Sequence, residues 1–180
     1  LLSHALLETW KRRQGRMLTF AGYTASGRVQ GAIAHTAETV FNQRLTGEQK
    51  LIARNIFLRL TELGEGAQDT RRRTKLQELM PQSAQADSVE NVLTILADAR
   101  LITTFAGEAE VAHEALIREW PQLREWLADD REGLRIQRRL TEATQEWLML
   151  ARDSGVLLRG VRLEQTLAWN QEHKDELNEQ

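Results

Sequence analysis

The chain contains no cysteine. Disulfides, thiolate metal sites and a cysteine nucleophile are therefore excluded. It also has little net charge, −2 over 180 residues, which argues against a dedicated nucleic-acid binder while leaving room for a local basic patch. No apolar run approaches the roughly 20 residues that span a bilayer. The opening Leu1-Leu2-Ser3-His4-Ala5-Leu6-Leu7 is too short and too interrupted for a signal peptide. There is no initiator Met, and the chain starts inside an amphipathic pattern. The expectation is a piece of a longer, cytoplasmic protein whose catalytic part lies elsewhere. What is present, 41% hydrophobic and 28% charged residues, suits a soluble globular chain long enough for one good core.

Several catalytic signatures are missing. His113-Glu114 opens like the zinc motif H-E-x-x-H, but the second ligand position is Ile117, so two imidazoles do not share a helical face. His4, His35 and His173 are scattered, with no metal spacing between them. Neither G-x-x-x-x-G-K-[ST] nor G-x-S-x-G occurs, so neither a phosphate-cradling loop nor a serine nucleophile elbow is expected. Asp129-Asp130 reads as a solvated turn. The expectation is a non-enzymatic chain without a metal.

The periodicity predicts a mainly α fold. Residues 1–14 read as a helix with Leu2, Leu6, Leu7 and Trp10 on one face. Gly15 to Gly31 reads as a loop with an extended piece at Met17–Phe20, and Ala32 to Leu45 as a helix. Residues 1–46 carry six Lys/Arg against two acids, a net of +4, so the remainder is acidic. Thr46-Gly47-Glu48-Gln49 is a capping box, opening a helix with Ile52, Ile56, Leu60 and Leu63 on one stripe, ended by Gly64 and Gly66. A short strand is expected at Arg72–Lys75, a helical turn at Leu76–Met80 stopped by Pro81, and a helix from the capping signal Asp87-Ser88-Val89-Glu90 to about Arg100. Leu101, Thr103 and Phe105 alternate, as do Ala109, Val111 and His113, with a hairpin connection at Ala106-Gly107-Glu108. Leu116, Trp120, Leu123 and Leu127 keep a helical period, with a kink or a fresh start at Pro121. Ile136, Leu140, Ala143, Trp147 and Leu150 form a stripe, and a last helix runs from Val161 to about Leu177 with Leu163, Leu167 and Trp169 inward.

From residue 46 the order is helix, strand, short helix, helix, hairpin, which is the topology of a winged helix flanked by helices, with a small hairpin or three-stranded wing. Its would-be reading helix, Ser88 to Arg100, carries Glu90 and Asp98, and its wing carries Glu108 and Glu110. Acids at both places oppose DNA phosphates. The alternative of a DNA-binding domain rests on Arg71, Arg72, Arg73 and Lys75, which otherwise read as a charged strand edge. A further alternative is a structural adaptor that pairs through the 136–150 stripe.

His113 admits two readings. Parity puts it with Ala109 and Val111, as a half-buried histidine with one backbone partner. Its position where a strand ends and a helix begins also suits an anion, with Glu114 favouring the same helix start.

Val111-Ala112-His113-Glu114-Ala115-Leu116-Ile117-Arg118-Glu119-Trp120-Pro121 resembles the end of the winged-helix domain in STAND NTPases, signal-transduction ATPases related to the apoptosis and plant-immunity adaptors. The chain is similar in particular to the bacterial branch whose ATPase core precedes WD-type repeats. Leu1–Leu6, Leu18–Tyr23, Asp129–Leu134 and Arg159–Leu163 match in the same order. The resemblance implies three regions: 1–45 as the tail of the helical domain, 46–128 as the winged helix, and 129–180 as a helical arm toward C-terminal repeats. It implies partners in the N-terminal nucleotide-binding core and the C-terminal repeats of the same chain, and an oligomer in the active protein. DNA is not an implied partner. It implies ADP or ATP in the longer protein and no cofactor in this part. A proline-containing sensor motif is implied just upstream of Leu1. His113 matches a histidine that contacts the β-phosphate of ADP and holds the closed state. Glu114 stands where the common motif has Asp.

Overall fold

Thr46 and Gln49 form the reciprocal cap their spacing predicts: the Thr46 hydroxyl accepts from the Gln49 backbone, and the Gln49 side chain accepts from the Thr46 N–H. The computed structural model describes residues 1–64, 68–80 and 86–172. Among these residues there are nine α-helices and five short strands. They are α1 (Leu2–Lys11), α2 (Phe20–Ala25), α3 (Arg28–Gln43), α4 (Gly47–Arg59), β1 (Thr61–Glu62), β2 (Thr70–Arg71), β3 (Thr74–Lys75), α5 (Ala86–Asp98), β4 (Ile102–Phe105), β5 (Glu108–Val111), α6 (Glu114–Glu119), α7 (Pro121–Asp129), α8 (Arg131–Met149) and α9 (Val161–Glu172). One 3₁₀ turn covers Leu76–Leu79 and another Ser154–Val156. The fold is mainly α with two small antiparallel sheets, one of two strands and one of three in the order β3-β5-β4.

The core is the union of the apolar stripes. Ile33, Ala37 and Val40 of α3 meet Ile52, Ile56 and Phe57 of α4, Val89, Val92 and Leu96 of α5, and Leu116, Leu123 and Leu127 of α6 and α7. Trp120, between α6 and α7, is fully buried. Its ring lies 5.8 Å from Phe41, 5.2 Å from Phe57 and 5.3 Å from Trp126, all edge-on, and its Nε1–H donates to Glu38 Oε2 at 2.7 Å. Pro121 opens α7 as its first residue, where its missing N–H costs nothing.

Several elements depart from the sequence pattern. The Gly15–Gly31 stretch is not all loop: Met17 makes a short antiparallel bridge with Gln14, and helices take up most of the rest. Thr19 accepts a hydrogen bond from the Gly22 backbone and caps α2, and α3 starts already at Arg28. The 72–75 strand is split: β2 ends at Arg71, and β3 starts at Thr74 and pairs with β5. Leu60 and Leu63 are buried as expected, but the helix stops at Arg59 and its continuation is β1. The α5 helix begins at Ala86, so Asp87 serves in its first turn. The hairpin loop is two residues, Ala106 and Gly107, with φ of 51° and 80°, and Phe105 lies opposite Glu108. That geometry matches the strand twist. Asp130 is not simply solvated; it pairs with Arg54 at 3.6 Å. In α9, Trp169 is buried while Leu163 and Leu167 face out. Gly66, Pro81, His173 and the expected 173–177 end of the last helix lie outside the described residues.

The largest reversal is in α1. Leu2, Leu6 and Trp10 do share a side, but that side faces solvent, at 65%, 52% and 46% exposure. The inward face is His4, Ala5, Glu8 and Thr9. Glu8 is tolerated there because its carboxylate accepts from Lys11 Nζ and Arg12 NH1, both at 2.6 Å.

The α8 helix is seated mainly by charge. Arg131 donates to both carboxylate oxygens of Asp69, at 3.0 and 2.8 Å, and to the Gly64 carbonyl at 3.3 Å. Seven residues further on, Arg138 reaches Glu62 and the Thr61 carbonyl. Leu134 is the one apolar residue of α8 that is buried.

Candidate functional site

The β5 strand ends at Val111, and His113 is the N-cap of α6, with extended φ −148° and ψ 131°. Its side chain caps nothing. It is half-buried and is turned toward the start of α1. Its Nε2 lies 2.9 Å from the nitrogen of Leu1, across 112 positions of sequence. Burial pushes the His113 pKa below the usual histidine value, and the Leu1 amine, His4 and Arg71 add to the shift. The ring is therefore neutral at pH 7. Glu114 is in the first turn of α6, but its carboxylate is tied to Arg118 at 3.0 Å along the helix. With only six residues, α6 has little dipole to offer an anion, so any attraction must come from side chains.

His4 stands behind His113, with the two rings edge-to-face at 6.4 Å. It occupies the inward face of α1. Thr36 of α3 donates its hydroxyl to the Ala32 carbonyl at 3.1 Å, and therefore accepts from His4 Nδ1 at 3.2 Å. The other nitrogen, Nε2, is buried without a hydrogen-bond partner among the described residues. Burial is the largest influence, and it lowers the His4 pKa from the usual value; the Leu1 amine and the Arg100 guanidinium act in the same direction. The sequence spacing could not join these two histidines. The signal it did contain was a histidine amid the small and apolar residues of a helix that opens the chain.

These shifts set a pH dependence. For both histidines the folded pKa lies below the unfolded value of 6.5. Below 6.5 the unfolded chain binds more protons, so stability falls as pH drops through that value and levels off below the folded pKa. Glu8 also has a lowered pKa; its burial alone would raise it, but its bonds to Lys11 and Arg12 outweigh that. Its contribution is present above about 4.5 and is lost at lower pH, outside the histidine window. Urea midpoints should therefore decline between pH 7.5 and 5.5, and His4→Asn should make the decline shallower. An identical decline in the variant would refute the assignment to His4.

The basic stretch is dispersed into ion pairs. Arg72 donates to Glu78 at 3.0 Å and to the Arg59 carbonyl at 3.3 Å. Arg73 reaches Glu110 at 3.3 Å and Glu108 at 3.9 Å. Lys75 lies opposite Glu108 in the sheet. Arg71 faces Glu110 at 3.7 Å and lines the cleft at His113. Among the described residues, the acids of β5 thus face the cations of β2 and β3. Among the described residues, no group of three or more His, Asp or Glu gathers as a metal site, and no helix is long and apolar enough to cross a membrane.

The family model described as Novel STAND NTPase 1 matches residues 1–155. No curated protein and no solved structure matches the chain.

Proposed function

Because this chain belongs to the Novel STAND NTPase 1 family, we propose that it is the non-catalytic regulatory part of a signalling NTPase, holding an ADP-bound off state and relaying nucleotide exchange to oligomerisation. Residues 46–128 serve as a winged helix, residues 1–45 as the tail of the helical domain, and residues 129–180 as an arm toward C-terminal repeats. The nucleotide-binding core precedes Leu1 in this reading and supplies the phosphate grip and the hydrolysis.

The observation that carries the reading is the place of His113: it is the N-cap of α6, just past the end of β5, and its side chain caps nothing and lines an open cleft. An imidazole N–H there can donate to a phosphate oxygen. A contact made in the ADP state and lost in the ATP state is the differential interaction that a ligand-driven switch requires. The β5–α6 junction is anchored by Leu116 and Trp120 just beyond it, both fully buried.

The test uses the full-length protein. A hydrogen bond to a charged group contributes about 1.5–3 kcal/mol, so His113→Ala should weaken ADP by about tenfold to a hundredfold and shift the protein from monomer toward oligomer. Nucleotide released on denaturation and light scattering read the two effects. A variant that keeps its ADP and stays monomeric sinks the proposal.

A further inference from the structure

We propose that Arg71 supplies the positive charge of the His113 cleft and binds the terminal phosphate of a nucleoside diphosphate there, an inference that rests on the nucleotide reading above. The cleft is lined by Leu1, Gln30, Arg71, His113, Glu114 and Arg118 among others, and its volume is about 330 Å³. That is the small end of the range for ligand sites, enough for the phosphate end of a nucleotide held elsewhere.

Charge in the cleft singles out Arg71. His113 is held neutral by its burial, so it offers one donor and no charge. Arg118 is already bonded to Glu114 at 3.0 Å, and that pair is neutral. Glu119, the last residue of α6, also lines the cleft, but it is exposed and its carboxylate can turn to solvent. A phosphate next to His113 alone would meet a donor but no cation to offset its charge, and burying an unpaired anion is unfavourable.

Arg71 is the remaining cation, and it is available. Its nearest carboxylate, Glu110, lies at 3.7 Å, beyond hydrogen-bond distance. Its side chain is 47% exposed, so the guanidinium can turn without leaving a core. Glu110 keeps Arg73 at 3.3 Å when Arg71 turns away, so no carboxylate is stranded. The backbone beneath is fixed, because β2 pairs with β1 with Thr61 opposite Arg71. A planar guanidinium that exchanges a loose carboxylate for a bidentate phosphate gains both bonds and geometry. Arg72 lacks this freedom, being bonded to Glu78 and to the Arg59 carbonyl.

The test is made in the full-length protein with Arg71→Ala, Arg71→Lys, Arg73→Ala and His113→Ala, measuring ADP and AMP dissociation constants by displacement of a fluorescent nucleotide. Arg71→Ala should weaken ADP tenfold or more and leave AMP within twofold. Arg71→Lys should fall between, and Arg73→Ala should match the parent. Equal weakening of ADP and AMP would mean that Arg71 only supports the fold, and the inference would fall. If Arg71→Ala retains ADP while His113→Ala loses it, this inference alone is overturned. If both variants retain ADP, the nucleotide reading falls with it.

Discussion

Trp120→Ala should lower the unfolding free energy by about 4 kcal/mol, the middle of the range for removing a large buried aromatic. The side chain is fully buried and touches three other rings, from α3, α4 and α7. Its removal empties a space that Phe41, Phe57 and Trp126 share, and rings wedged edge-on cannot collapse into it without leaving their own seats. The Nε1 bond to Glu38 ties the α6–α7 corner to α3, and its loss adds about 1 kcal/mol. Glu38 itself is exposed and finds water, so no buried charge is created. A domain with a total stability of about 5–15 kcal/mol would be left marginal. Urea unfolding followed by far-ultraviolet circular dichroism measures the loss. Trp120→Phe, which keeps a ring, should lose less than half as much. A loss under about 1.5 kcal/mol for the alanine variant would mean that the cluster is not what joins these helices.

Gly27→Ala should be the next most damaging change, at about 2–4 kcal/mol, combining a left-handed residue with overpacking. Gly27 is the N-cap of α3 with φ +81°, a conformation that disfavours a Cβ. A Cβ there would also stand 2.9 Å from the Gly31 Cα and 3.0 Å from its carbonyl carbon. Both are backbone atoms, so no side-chain rotation relieves the contact, and α3 would have to shift against the core it helps build. Gly107 separates the two causes. Its φ is +80°, but nothing lies within 4 Å of its would-be Cβ, so Gly107→Ala should show the left-handed penalty alone, about 1–2 kcal/mol. Equal losses at the two positions would show that the backbone contact contributes nothing.

Most of the fold was legible because local signals agreed with burial. The Thr46–Gln49 box, Pro121 at the start of α7, and the stripes through Ile52 and Ile56 or Leu116 and Trp120 each declare themselves within a few residues. The misreadings came where the deciding partner is distant. The apolar side of α1 was visible, but nothing local said that His4 would point inward, because its partner Thr36 is 32 positions away; Lys11 and Arg12, within one turn of Glu8, were the local signal that a carboxylate could be buried there. The split between β2 and β3 depends on pairing with β1 and β5, and strands of two residues carry no period. At the candidate site, His113 could be singled out by its junction. Arg71 was visible only as one of a basic run, since the cleft that distinguishes it from Arg72 and Arg73 is assembled from Leu1, α3, β2 and α6.

The seating of α8 has a consequence for how the chain responds to its surroundings. Grease holds a helix about equally in fresh water and in brine. Charge does not: the screening length shrinks from roughly 10 Å at 0.1 M salt to 3 Å at 1 M. Arg54–Asp130, Arg131–Asp69 and Arg138–Glu62 thus make α8 a joint whose stiffness is set by the solvent, while the aromatic centre around Trp120 stays indifferent to it. Added salt should therefore loosen α8 before it loosens the core.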